Sequence, residues 1–298
     1  MVRLLIIGAN GLIGRAVVSQ IKPEIYWQGT YFKNATPGCL RCDILNSESI
    51  REIFEKVRPT CVLHCAQLAG GVNFCEENPF LAQKFHFDST VRLGKECLRH
   101  NVKLVFISSE CVFNGKKENY TEDDAATPLN IYGKYKAKSE EWISSNLKDY
   151  AIVRTMSVYG WDPLTKTPNA VMSAYSLISK GRKIHIPAYR WGSPTYVKDL
   201  AMAILELTLS KESGIFHVAG ATFINRYEWL KKTCEVLGWD SSLLLPLDKL
   251  QQGLAIRPSK VYLDTQKFRD NFSTKLHTLE EGLELLRLDM MKEMVRNA

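Results

Sequence analysis

The chain has 298 residues, which at roughly 150 per domain suggests two domains, or one large α/β unit with an appendage. Apolar residues reach 45% and charged ones 24%, an ordinary globular balance, and no run of roughly 18 apolar residues occurs, so a membrane-spanning helix is excluded. The 39 Lys and Arg exceed the 32 Asp and Glu by seven charges spread along the chain, which speaks for an anionic small molecule rather than nucleic acid.

Short apolar runs predict strands at 3–8, 25–30, 39–42, 61–66, 103–108 and 151–154. Amphipathic stretches near 11–21, 47–57, 79–100 and 129–146 predict helices between them. Strands that are apolar throughout, rather than alternating, belong to a parallel sheet covered on both faces. Right-handed crossovers then give a doubly wound α/β fold. Past about residue 154 the regularity weakens, and 160–169 and 186–195 read as loops capping the sheet. A helix at 197–209, a strand at 214–218, a helix at 226–237 and a last helix at 279–295 follow. Residues 1–155 are therefore expected to form one domain. Residues 156–298 mainly form a smaller one, with some segments returning to the first sheet.

Eight cysteines lie in apolar segments. Cys39 and Cys42 have redox or half-zinc-site spacing, but no second such pair follows. Buried free thiols in a reducing cytoplasm are the expectation, with no metal. The opening strand reaches Gly8 too soon for a secretory leader, in keeping with a cytoplasmic address.

Gly8, Gly11 and Gly14 follow the first strand at the mouth of a helix. Glycines there let the chain turn sharply and let backbone approach a pyrophosphate, whose charge the helix N-terminus then holds. The spacing is G-x-x-G-x-x-G, not the commoner G-x-G-x-x-G, yet its place after an apolar strand favours a dinucleotide cradle over a plain turn. An acid at the end of the second strand would bind the adenosine ribose hydroxyls. Thr30, Lys33 and Asn34 stand there instead, which favours NADP(H), with NAD(H) as the alternative. Asp43, after the third strand, reads equally as an adenine contact or as a helix-start residue.

Tyr132 and Lys136 lie four apart on a predicted helix and share a face. An ammonium about 6 Å from a phenol, at an effective dielectric of about 20, contributes roughly 3 kcal/mol, about two pKa units. The phenol is then expected to titrate near 8, acidic enough to protonate a carbonyl oxygen as hydride arrives. The preceding strand ends in Ser108 and Ser109, at the carboxyl edge where open sheets bind ligands. A hydroxyl at Ser109 could polarise that carbonyl.

A glycine turn, a serine and Y-x-x-x-K in this order resemble the extended short-chain dehydrogenases/reductases. The stretch ISSECVFNGKKENYTEDDAATPLNIYGKYKAKSEEW resembles their dTDP-4-dehydrorhamnose reductase branch, as do RTMSVYG, RWGSPTYVKDLA, GIFHVAG and RPSKVYLDTQKF, so the likeness runs nearly end to end. It implies a Rossmann domain and a smaller C-terminal substrate-binding domain with the active site between them. It also implies NAD(P)H-dependent reduction of the 4-keto group of a nucleotide-linked 6-deoxyhexose, in deoxysugar biosynthesis. By this resemblance Ser109 is the hydroxyl member, Tyr132 the proton donor, and Lys136 its electrostatic partner and a ribose contact. Asn10, Gly11, Leu12 and Ile13 would line the pyrophosphate, Asp43 and Ile44 the adenine, and Cys65, Ala66 and Gln67 the middle of the cofactor, with Ser108 beside it.

Departures gather on the substrate side. The family's S-T-D-Y-V-F is here Ser108-Ser109-Glu110-Cys111-Val112-Phe113, and Ser157 replaces a tryptophan before Val-Tyr-Gly. Two flat surfaces for sugar or base are thereby lost, which opens the sugar's identity. Arg190 and Arg257 would suit a diphosphate, and Trp191 a base or sugar. His64, His86, His185 and His217 sit in apolar strings and read as core residues. A homodimer is the partner state left open. Two rivals stand: an epimerase or dehydratase using Glu110 or Cys111 as an added acid or base, and a non-catalytic NADP-binding regulatory subunit. The second arises because the β subunit of methionine adenosyltransferase resembles the chain in many of the same blocks.

Overall fold

A computed structural model of the chain describes residues 2–165, 168–251 and 253–297. The apolar runs of the first half form β1 (Arg3–Ile7), β2 (Tyr26–Tyr31), β3 (Leu40–Arg41), β4 (Cys61–His64), β5 (Lys103–Ser109) and β6 (Tyr150–Thr155). Between them lie α1 (Leu12–Gln20), α2 (Ser47–Val57), α3 (Gly71–Glu77), α4 (Pro79–Ala82), α5 (Ser89–His100) and α6 (Ile131–Asn146). There follow β7 (Val158–Tyr159), α7 (Ala170–Ile178), β8 (Ile184–Pro187), β9 (Trp191–Gly192) and β10 (Thr195–Tyr196). Next come α8 (Val197–Leu209), β11 (Gly214–His217), β12 (Ile224–Asn225) and α9 (Arg226–Leu237). The chain closes with β13 (Leu244–Leu247), α10 (Gln266–Asn271) and α11 (Leu279–Asn297).

Seven strands align in the order β11-β6-β5-β4-β1-β2-β3, each neighbouring pair parallel. Leu4, Ile6, Leu63, Val105 and Val153 pack on one face with Val17 of α1 and Ala201 of α8. Leu5, Ile7, Val62, Leu104 and Ile152 pack on the other with Phe54, Leu93 and Ile143. Because helices cover both faces, neighbouring residues of one strand are all buried, which is why the strands read as unbroken apolar runs. The order reverses between β1 and β4, which opens a crevice at their carboxyl ends.

Residues after 155 do two things. β11 pairs with β6, and α8 lies along α1, so they complete the first sheet and one of its layers. The rest builds a core of its own, in which Tyr159, Ile186, Trp229 and Leu283 are buried. Among the described residues no helix is long and apolar enough to cross a membrane.

Several expectations need correction. The single helix expected over 79–100 is α4, then a π-helical turn at Gln83–Asp88, then α5. Hydroxyls of Ser89 and Thr90 bond the carbonyls of Phe85 and His86, and Ser139 of α6 donates to the His86 carbonyl at 2.7 Å. These donors feed the widened turn. The stretch 186–195, expected as loop, contains the end of β8, the two-residue β9 and the first residue of β10. Strands that short leave no periodicity to read. Within the 160–169 stretch, Lys166 and Thr167 lie outside the described residues. His185 is exposed rather than a core residue, since β8 turns that side away. All eight cysteines are free, but Cys39 and Cys65 are only partly buried.

Candidate active site

The glycine turn is shaped by the absence of side chains. Gly8 has φ +92°, and a Cβ there would meet the Ala66 backbone at 2.8 Å. A Cβ on Gly14 would lie 2.3 Å from the Gly8 carbonyl oxygen, so this residue serves close packing and is itself buried. Gly11 precedes α1 with no side-chain cap, and its carbonyl accepts from the Arg15 N–H. The N–H groups of Leu12, Ile13 and Gly14 therefore lack an intrahelical acceptor, which is what an anion at a helix start requires. Asn10 donates from Nδ2 to the Asn34 carbonyl at 3.3 Å and ties this turn to the loop after β2.

Around that turn the expected cofactor contacts divide. Lys33 and Asn34 are exposed beside it. Thr30 is buried and its hydroxyl donates to the Ile6 carbonyl, so it faces the sheet instead of a phosphate. Asp43 closes a turn by accepting from the Leu45 N–H at 2.9 Å, and Asn46, not Asp43, caps α2. Ile44 is buried in the core against α2. Cys65 donates its thiol to the Ile7 carbonyl at 3.3 Å, and burial pushes that thiol up to about 12. Gln67 lines the large cleft. Ser108 departs from expectation, because its hydroxyl is spent on Glu140, itself paired with Arg154 at 2.7 Å.

Three features bring the acid–base candidates together. β5 delivers Ser109 to the sheet edge, Asn130 caps α6 by accepting from the Gly133 N–H at 2.8 Å, and α6 then carries Tyr132 and Lys136. A Cβ on Gly133 would sit 2.0 Å from the Cys111 carbonyl oxygen, so only glycine lets α6 press against the turn that follows Ser109. The Ser109 hydroxyl donates to Glu110 Oε2 at 2.5 Å and accepts from the Cys111 N–H at 3.2 Å. Lys136 donates to the Ile107 carbonyl at 2.7 Å, with Nζ 5.8 Å from the centre of the Tyr132 ring.

The expected acidic phenol is not what this geometry gives. Burial drives the Tyr132 hydroxyl well above the usual tyrosine range, Cys111 and Glu110 add to this, and a hydrogen bond with Ser109 opposes it. Lys136 is the group drawn towards neutrality: burial lowers it to about 8, against the opposing pull of Glu140. Desolvation of both partners, which spacing along a helix does not reveal, outweighs the charge–phenol attraction.

Ser109, Glu110, Cys111, Tyr132 and Ser157 line a cleft of about 540 Å³, and Arg190, Arg226 and Arg257 line it too. Ser157 holds a left-handed φ of 47°, a backbone strain in the lining of the cleft. Burial pushes the Cys111 thiol up to about 12, which makes it a poor acid or nucleophile. Trp191, 41% exposed, tilts against Phe223 and borders a smaller pocket beside the cleft. Arg226 was not anticipated. Burial, then the neighbouring Arg190 and Arg257, lower its guanidinium to about 10, and its backbone N–H bonds the Arg190 carbonyl at 2.8 Å. Its only signal in the sequence is its place at the start of the helix expected over 226–237.

The family described as RmlD substrate binding domain matches residues 2–291. The chain is 30% identical over 273 residues to methionine adenosyltransferase 2 subunit beta of Xenopus tropicalis, covering 89% of this chain and 81% of that protein. It is 31% identical over 245 residues to the spore coat polysaccharide biosynthesis protein SpsK of Bacillus subtilis, covering 82% of each. Among solved structures, dTDP-4-dehydrorhamnose reductase of Bacillus anthracis in complex with NADP superposes with a TM-score of 0.86 at 28% identity, covering 97% of this chain and 99% of that one.

Proposed function

The chain belongs to the RmlD substrate-binding-domain family, and from that premise we propose that it is an NADPH-dependent reductase of the 4-keto group of a nucleotide-linked 6-deoxyhexose. One observation carries the reading: Ser109, Tyr132 and three arginines line a single cleft, with Lys136 directly behind the tyrosine. Residues up to 155 would hold the cofactor and most of those beyond it the sugar nucleotide. The structural relative crystallised with NADP and the exposed Lys33 and Asn34 beside the glycine turn support NADP(H), with NAD(H) the second choice.

The helix start at Leu12 and Ile13, the glycine turn and Gln67 fit a dinucleotide, since the first N–H groups of α1 lack an intrahelical acceptor and the glycines put no side chain into the turn. When bound, the dihydronicotinamide supplies the hydride. Tyr132, kept protonated by burial, gives its proton to the carbonyl oxygen as that oxygen becomes an alkoxide, a stronger base than even a phenolate with a raised pKa. Ser109 turns its hydroxyl from Glu110 to the same oxygen. Lys136 supplies positive charge beneath the tyrosine, and the planar forks of Arg190 and Arg257 grip the diphosphate.

The test is NADPH oxidation by purified protein with a dTDP-4-keto-6-deoxysugar, abolished by at least about a hundredfold in Tyr132→Phe. Absence of NADPH consumption with a panel of keto sugars overturns the enzyme. A second reading then takes its place, favoured by the methionine adenosyltransferase 2 subunit beta relatives: a non-catalytic NADP-binding regulatory subunit. Its signature is tight co-purification with a larger enzyme.

A further inference from the structure

Beside the main cleft lies a second, smaller pocket of about 20 Å³, room for a water-sized group. Glu110, Ser157, Arg190 and Arg226 line both spaces, so the two adjoin. Trp229 closes the small one, and Met156, Ile224 and Val261 give it apolar walls.

Its polar inventory is one-sided. The Nε of Arg190 and the indole Nε1 of Trp229 are buried donors without a partner, and Trp229 is only 1% exposed. The Arg226 guanidinium packs 5.8 Å from the Trp229 ring. Glu110 is the single acid among the lining residues. An unpaired buried N–H costs stability until an acceptor reaches it. A hydroxyl brings its own proton and needs an acceptor as well as donors, whereas a carbonyl-type oxygen brings only lone pairs. Burial, and after it the charges of Arg190 and Arg257, lower the Arg226 guanidinium, and an acceptor oxygen beside it offsets that.

We propose that this pocket is a subsite for a carbonyl-type oxygen on a substituent of the sugar, an acylamino group on the 6-deoxyhexose ring, held by Arg190, Arg226 and the Trp229 N–H. The proposal rests on the nucleotide-sugar reading above and adds to it the class of sugar. It assigns Arg226 and Trp229 to specificity, while Ser109 and Tyr132 keep the chemistry.

Calorimetric titration of the NADP-loaded protein with dTDP-6-deoxyglucose and its 2-acetamido and 3-acetamido counterparts tests it. One of the two acetamido sugars is expected to bind at least about tenfold more tightly than dTDP-6-deoxyglucose, and which one does so locates the group on the ring. That ratio should fall to within about threefold of unity in Arg226→Met, which removes the charge, and in Trp229→Phe, which removes the N–H and keeps a ring. Equal affinity for all three sugars in the unmodified protein overturns the proposal, whether or not either variant folds. So does a preference that persists in both variants. If none of the three binds, the nucleotide-sugar reading falls too, an outcome distinct from binding without preference.

Discussion

The two halves of the site are made of different material. The proposed cofactor side is backbone: Gly8 and Gly14 clear space, and the first N–H groups of α1 have no side-chain cap. The proposed sugar side is side chain: Arg190 precedes β9, Arg226 opens α9, and Arg257 comes from a late loop. Short backbone ties hold those three segments together, from Arg226 N–H to the Arg190 carbonyl and from Trp191 N–H to the Ser259 carbonyl at 2.7 Å. A backbone site is specified by where atoms are missing. A charged one is specified by where like charges are forced to meet, at a cost that the ligand offsets.

That contrast can be broken by experiment. The largest effect should come at the seam. In Gly133→Ala the new methyl meets the Cys111 carbonyl and must displace either α6 or the turn after Ser109. A shift of about 1 Å between Tyr132 and Ser109 should lower kcat roughly a hundredfold, while NADP titration stays near the parent value. Gly14→Ala places a methyl 2.3 Å from the Gly8 carbonyl, and NADP affinity should drop by about tenfold or more with nucleotide-sugar affinity held. Equal loss of both ligands would show the halves are not separable. Arg257→Lys keeps the charge and loses the planar fork, so nucleotide-sugar affinity should weaken by about tenfold with NADP binding intact.

A pH profile sharpens the picture at the point where the halves meet. Burial brings Lys136 down to about 8, so it is an ammonium below that pH and neutral above it. If the charge assists turnover, kcat/KM falls as pH rises through about 8, and Lys136→Met loses that limb together with most of the rate. A profile flat across this range in the parent protein removes the electrostatic role. The smallest effect is on stability: Asn130→Ala strips the α6 cap and the bond to the Ile256 carbonyl, and should cost about 1–2 kcal/mol by denaturant titration.

The same contrast explains what could be read without coordinates. The sheet strands are long, apolar and buried on both faces, so their composition announces them. Gly8, Gly14, Ser109, Tyr132 and Lys136 were legible because local spacing carries their geometry. Arg226 was not, because its importance arises from contacts with Arg190 and Arg257, which are remote in sequence. The acidity of Tyr132 was misjudged for a related reason. Spacing gives the distance to Lys136, but the dielectric around both depends on how β5, α6 and the 110–112 turn close over them. Thr30 and Ser108 looked available because a sequence does not show which hydroxyls the interior has already engaged.

One turn beyond Lys136 on the same helix, Glu140 could have neutralised that lysine, yet it is held by two nitrogens of Arg154 and by Ser108. Arg154 thus tempers a charge it never touches, by sharing the carboxylate that pulls on Lys136. Loss of Arg154 should therefore be felt in the cleft from outside it: a Glu140 carboxylate left uncompensated pulls harder on Lys136 and keeps it an ammonium to a pH above about 8.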